Sequence, residues 1–224
     1  MPHGFAERTV GPPAPKLSAI DGRLHLALVG SAVARADDGR YYVGIIRRLC
    51  AQGIVVHSHF HPDPEADAIY TALAEELPDY HAHPKLNHRE DTILSRALSV
   101  YDLMGVFHEL EAPGRNEFRT LSVCMPTKAV CGWLLGGIPV VCNSRYRGVV
   151  EWIEAWGIGF VVDSIEEVGT LKNRREDIRR ATRATLEQRH RFTHETQAAR
   201  LHQYYRSLLV ESPDTLDGRS GVSQ

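Results

Sequence analysis

Three groups of side chains in the 224-residue chain have types and spacings that could do chemistry. Lys128 follows Thr127 at the start of a nearly all-apolar run. A cation at a helix start costs up to ~1 kcal/mol unless an anion compensates it, so a phosphate contact is expected there. His57, His59 and His61 alternate in sequence, which on a strand puts three imidazoles on one face. Such a set could hold zinc or copper, but spacing supplies no Asp or Cys to complete it, and we expect polar tips at a strand end rather than a metal. His108, Glu109 and Glu111 follow the apolar run Leu103 to Phe107, at the strand end where open α/β sheets bind ligands.

The elements that must position these groups are legible from periodicity. Between Pro126 and Asp163 the chain reads helix, strand, helix, strand. Thr127 is expected to cap a helix whose body, Ala129 to Leu135, is apolar all round and therefore sandwiched in a core. Gly136 and Gly137 stop it, and Ile138 to Cys142 is a short β-branched run suited to a central parallel strand. Val149, Ile153 and Trp156 return at helical spacing, Gly157 and Gly159 close that helix, and Phe160 to Val162 form another buried strand.

Upstream, Leu24 to Gly30 reads as the first strand, with a helix around Tyr42, Ile45, Ile46 and Leu49 closed by Gly53. Ile54 to Phe60 is the second strand. A helix from about Glu65 to Leu77 is expected to bury Ile69, Leu73 and Leu77, and Tyr80 to Leu86 is a short third strand and loop. The helix within Arg89 to Tyr101 is expected to bury Ile93, Ala97 and Val100. The long polar stretch Ala112 to Met125 reads as a binding loop. The pattern is an α/β, Rossmann-like, doubly wound parallel sheet in a single domain, residues 23–209, after a Pro-rich linker-like segment, 1–22, and before a disordered tail, 210–224.

Composition narrows the function. A formal charge of −2 gives no drive toward nucleic acid. No run approaches membrane-spanning length and no signal-peptide core follows Met1, so a cytoplasmic location is expected. Cys50, Cys124, Cys131 and Cys142 show no Cys-x-x-Cys pairing and read as buried thiols. From Lys172 to Arg206 ten basic residues face four acidic ones, and Leu201, Tyr204, Tyr205 and Leu208 make an apolar stripe. Peripheral contact of this basic helix with anionic lipid is one expectation, a solvated face the plainer one.

The order Lys128, Gly136-Gly137-Ile138-Pro139-Val140-Val141, Gly148 with Glu151, and Gly157-Ile158-Gly159 resembles the donor-binding, C-terminal domain of GT-B glycosyltransferases over roughly Leu24 to Leu209. Pro2-His3-Gly4 resembles the linker that precedes that domain. The resemblance implies that this chain binds a nucleotide-sugar as substrate, without a further cofactor, and that the acceptor domain belongs to a missing N-terminal half or a partner chain. It implies contacts from Gly30 and Ser31 after the first strand, from His83 or Lys85 near the sugar, from Thr127 and Lys128 to the diphosphate, and from Arg147 and Glu151 at the later helix. Lys128 and Glu109 would carry catalysis, Glu109 by orienting the sugar.

The chain departs from the family pattern at two places. It offers only Arg35 and Arg40 after the first strand, and the Glu-x7-Glu motif is at best half present, with Glu109 or Glu117 for the first acid and Cys131 or Gly132 where the second should stand. Three rival readings follow: a folded remnant that transfers no sugar, a metal-dependent hydrolase built on His57, His59 and His61, and a nicotinamide-dependent enzyme, against which the lack of Gly-x-Gly-x-x-Gly after the first strand argues.

Overall fold

The computed structural model describes residues 5–36, 38, 40–84, 92–108 and 125–210. Glu109, Lys85, Glu111, Glu117, Cys124, Pro2-His3-Gly4 and the expected binding loop up to residue 124 lie outside them, as does the tail from residue 211.

Six strands form one parallel sheet: β1 (Leu24–Ala32), β2 (Ile54–Pro62), β3 (Tyr80–Ala82), β4 (Leu103–Val106), β5 (Val140–Asn143) and β6 (Gly159–Val162). Their order is β3-β2-β1-β4-β5-β6. The chain starts in the middle, winds to one edge and then returns to wind to the other. That reversal leaves a switch point between the carboxyl ends of β1 and β4, where doubly wound sheets bind ligands. The expected α/β, Rossmann-like, doubly wound architecture is therefore the observed one.

The inner strands are apolar on both faces because both faces are covered. Leu24, Leu26 and Leu28 join Ile54, Val56, Leu103 and Val141 in one core, packed on α2 (Val43–Ala51) and α3 (Pro64–Glu76). Ala27, Val29, Met104, Val106, Val140 and Cys142 join the other, with α4 (Ile93–Ser99) and the helix after residue 126. That helix begins as α5 (Thr127–Val130) and continues through Cys131–Gly136 in a wider π turn, every residue of which is buried. Gly132 explains why it can lie so close: a Cβ there would sit 2.7 Å from Met104 Cβ and 3.1 Å from Val140 Cγ2. Gly137 then ends the helix in the left-handed region at φ 59°. The remaining helices are α6 (Arg147–Trp156), α7 (Arg175–Gln188) and α8 (His194–Val210), and a single turn, α1 (Ser18–Asp21), precedes β1.

Several expectations need correction. Thr127 does not cap the helix: Pro126 occupies the cap position, no side chain bonds there, and Thr127 is the first helical residue. The buried face of α4 is Leu94, Ser95, Leu98 and Ser99, leaving Ile93 exposed, because Ser95 is drawn inward by its bonds to the Leu135 carbonyl and Gly11 N–H. On α3, Ala66, Tyr70 and Leu73 point inward; Tyr70 Oη accepts from the Tyr42 N–H at 2.8 Å, which rotates Ile69 and Leu77 to half-buried positions. β6 is an edge strand with only Val162 buried. The described part of the linker-like segment is docked rather than free. Phe5 bridges Thr193, Gly11 is held by Ser95, and the Lys16 ammonium donates to the Ser99 and Tyr101 carbonyls at 2.7 and 2.9 Å.

Candidate functional site

Two groups of residues assemble at the carboxyl end of the sheet. The first surrounds Lys128. β4 ends at Val106, and the next carbonyl, that of Phe107, accepts from Lys128 Nζ at 3.0 Å. Tyr42 Oη and His108 Nε2 each lie 3.1 Å from the same ammonium, and the Tyr42 ring centroid is 5.4 Å away. Lys128 is half-buried, and desolvation lowers its pKa to about 7. Burial, aided by Lys128, lowers His108 to about 3, so its imidazole is neutral. Nε2 accepts from Lys128, and Nδ1–H therefore donates to Tyr146 Oη. Tyr42 stands just before α2 and His108 just after β4, so two segments hold the ammonium directly at the switch point, and Tyr146, just before α6, holds His108 in turn.

Lys128 also lines a cleft of about 290 Å³ with Gly30, Ser31, His59, His61, Thr127 and Cys131, and with Phe5 from the docked N-terminal segment. Ser31 and Thr127 are exposed there. Gly30 adopts φ 119°, with no atom within 4 Å of where a Cβ would stand, so the backbone itself faces the opening. Of the residues expected to meet a ligand, Gly30, Ser31, Thr127 and Lys128 are thus brought together. His83 follows β3, two strands away, and Arg147 and Glu151 are exposed on α6 and do not line the cleft. Arg40 is paired with Asp38 at 2.9 Å. The missing second acid of the Glu-x7-Glu pattern has a steric reason: Gly132 is pressed on β4 and β5, and Cys131 is buried in the cleft wall.

The second group is imidazole-rich. His25, His57, His59, His81 and His83 gather with Tyr101; His57 stacks on His83 at 5.2 Å and His59 on His83 at 4.7 Å between centroids. Burial pushes His57 down to about 2 and His59 to about 4. His57 bonds His25 at 2.9 Å and His83 at 2.9 Å through its two ring nitrogens. Among the described residues no three His, Cys, Asp or Glu side chains are placed to hold a metal ion. His59 Nε2 lies 2.9 Å from Tyr101 Oη, while its buried Nδ1 has no partner.

Sequence reasoning missed Tyr42, Tyr146, Tyr101, His25 and Asp21. The signal for His25 was parity. It lies two residues from Ala27, the register partner of His57, so the two rings share a face of the sheet.

Comparison with known proteins places the fold. No protein-family model and no curated sequence matches the chain. Among solved structures it is similar to glycosyltransferases of the GT-B architecture. WaaG, a glycosyltransferase involved in lipopolysaccharide biosynthesis, aligns at 15% identity and TM-score 0.52 over 84% of this chain and 51% of that one. TarM aligns at 11% and 0.53 over 91% and 37%, and HepE of Anabaena, in complex with UDP-glucose, at 14% and 0.51 over 91% and 56%. At these identities the likeness is one of fold, and the chain spans about half the length, or less, of the structures it matches.

Proposed function

We propose that this chain is the donor-binding, C-terminal half of a glycosyltransferase, holding a nucleotide-sugar while its glycosidic bond breaks. The observation that carries the reading is the Lys128 ammonium, clamped at the β1/β4 switch point on the wall of a cleft floored by Gly30 and Ser31. When the bond between the sugar and the diphosphate breaks, negative charge grows on the leaving phosphate, and a preorganised cation stabilises that charge without rearrangement. Thr127 and the backbone at Gly30 and Ser31 would hold the diphosphate. His83, Arg147 and Glu151 would touch other parts of the donor, and Glu109 would orient the sugar.

The acceptor and any general base belong to the other half, from a preceding segment or a partner chain. Tyr204, Tyr205 and Leu208 on α8 are 58%, 56% and 45% exposed, an apolar stripe on which that half would pack. The reading puts the enzyme in the cytoplasm, with the basic C-terminal helical region meeting an anionic membrane surface. No helix among the described residues is long and apolar enough to cross a membrane.

Calorimetric titration with UDP-, GDP- and ADP-sugars tests this reading. UDP-glucose is the first probe, because the HepE structure holds it. Saturable binding of one nucleotide-sugar is expected. Flat titrations with all of them would leave a folded remnant that transfers no sugar.

A further inference from the structure

Asp21, His25, His57 and His83 form an unbroken line of hydrogen bonds from the amino end of β1 to the carboxyl end of β3. Both Asp21 carboxylate oxygens lie 3.1 Å from His25 Nε2. His25 Nδ1 is 2.9 Å from His57 Nε2, and His57 Nδ1 is 2.9 Å from His83 Nε2. The two inner rings are 4% and 5% exposed, so water does not interrupt the line.

A neutral imidazole has one donor and one acceptor nitrogen, and so fixing either end of such a line fixes every ring in it. Asp21 fixes the first. Its carboxyl is held below the usual carboxylate range by the Arg23 backbone N–H and by His25, so it is ionised and can only accept. A neutral His25 then carries its hydrogen on Nε2 and accepts at Nδ1. His57 supplies that hydrogen from Nε2 and accepts at its own Nδ1, and His83 supplies the next from Nε2. The last nitrogen, His83 Nδ1, is left as a lone pair with no hydrogen-bond partner among the described residues.

His83 lines a second cleft, of about 460 Å³, together with Ser58, Asp63, Asp67, Tyr70 and Thr71. We propose that Asp21, acting through His25 and His57, sets the tautomer of His83 so that its outer nitrogen is an acceptor at the carboxyl edge of the sheet, one that takes a ligand hydroxyl hydrogen and turns away a phosphate oxygen. Asp63 and Asp67, which line the cleft that His83 borders, add further acceptors, which suits a hydroxyl-rich ligand. Asp21 is a positioning residue here, and the tautomer assignment does not rest on the glycosyltransferase reading.

Two-bond proton–nitrogen NMR of the ¹⁵N-labelled chain at neutral pH reads each tautomer directly. In the wild type His25, His57 and His83 are expected to show hydrogen on Nε2, with a pyridine-type Nδ1 signal at His83 that inorganic phosphate does not move. Asp21→Asn keeps the shape but offers donor and acceptor alike, so His83 Nδ1 should shift toward the protonated position. His57→Phe cuts the line: His83 should shift in the same way while His25 keeps its Nε2 hydrogen. An Nδ1 hydrogen on His83 in the wild type would overturn the proposal, with no variant needed. So would a His83 signal unmoved in a folded Asp21→Asn protein, or a phosphate-induced protonation of Nδ1.

Discussion

Replacing Lys128 by methionine keeps the length of the side chain and removes its charge. In the free protein the ammonium already donates to Phe107, Tyr42 and His108, and desolvation holds its pKa at about 7. A diphosphate entering the cleft brings the opposite charge and raises that pKa. A hydrogen bond to a charged group is worth ~1.5–3 kcal/mol, so Lys128→Met should weaken UDP-glucose by about 10- to 150-fold. The pH dependence has a definite sign. Below about pH 7 Lys128 is protonated with or without ligand, and affinity is flat. Above it, binding must take up a proton, so affinity falls about tenfold per pH unit until the pKa of the complex is passed. At pH 8 binding should take up a proton at this site, counted by calorimetry in buffers of different ionisation enthalpy. UDP-glucose suits the measurement because its diphosphate has no group titrating in this range. Equal affinity in the mutant, or binding with no proton uptake at pH 8, would refute the reasoning.

Gly132→Ala forces a methyl group 2.7 Å from Met104 Cβ and should cost ~1–3 kcal/mol in urea unfolding; an unchanged midpoint would mean that the helix can lift off the sheet. Tyr146→Phe removes the acceptor for the His108 Nδ1–H and should cost ~1–3 kcal/mol, read in the same way. His59 is held at about 4, below its unfolded value of about 6.5, so its contribution to stability is complete above pH 6.5 and is lost as the pH falls toward 4. Between those values the unfolding free energy of the wild type should fall more steeply than that of His59→Gln, by at most ~1.4 kcal/mol per pH unit, and parallel slopes would count against a neutral buried ring.

The fold was legible where a segment's own residues decide its surroundings. Ile138 to Cys142 is β-branched and continuous, so it can only be a covered strand, and Ala129 to Leu135 has no polar face to give to water. Helix faces were less legible where a polar contact competes with apolar spacing. Ser95 turns inward to bond Leu135 and Gly11, and Tyr70 to meet the Tyr42 backbone, and in both helices that contact rotates the buried face. Gly30, Ser31, Thr127 and Lys128 were named through the resemblance to GT-B domains, and the structure brings them to one cleft at the carboxyl edge. Tyr42 and Tyr146 could not be named, since aromatic residues beside helices read as core until a partner on another crossover is known. The histidines were visible as a cluster but not as a line, because the line runs across three strands whose adjacency depends on sheet order.

The claim that this sheet binds a nucleotide-sugar at its β1/β4 switch point is tested most directly by mapping amide shifts of the ¹⁵N-labelled chain as UDP-glucose is added. The account predicts saturable shifts centred on Gly30, Ser31, Thr127 and Lys128, with a common dissociation constant. Saturation with shifts confined to other parts of the fold, or no saturable shift with this or any other nucleotide-sugar, would contradict it.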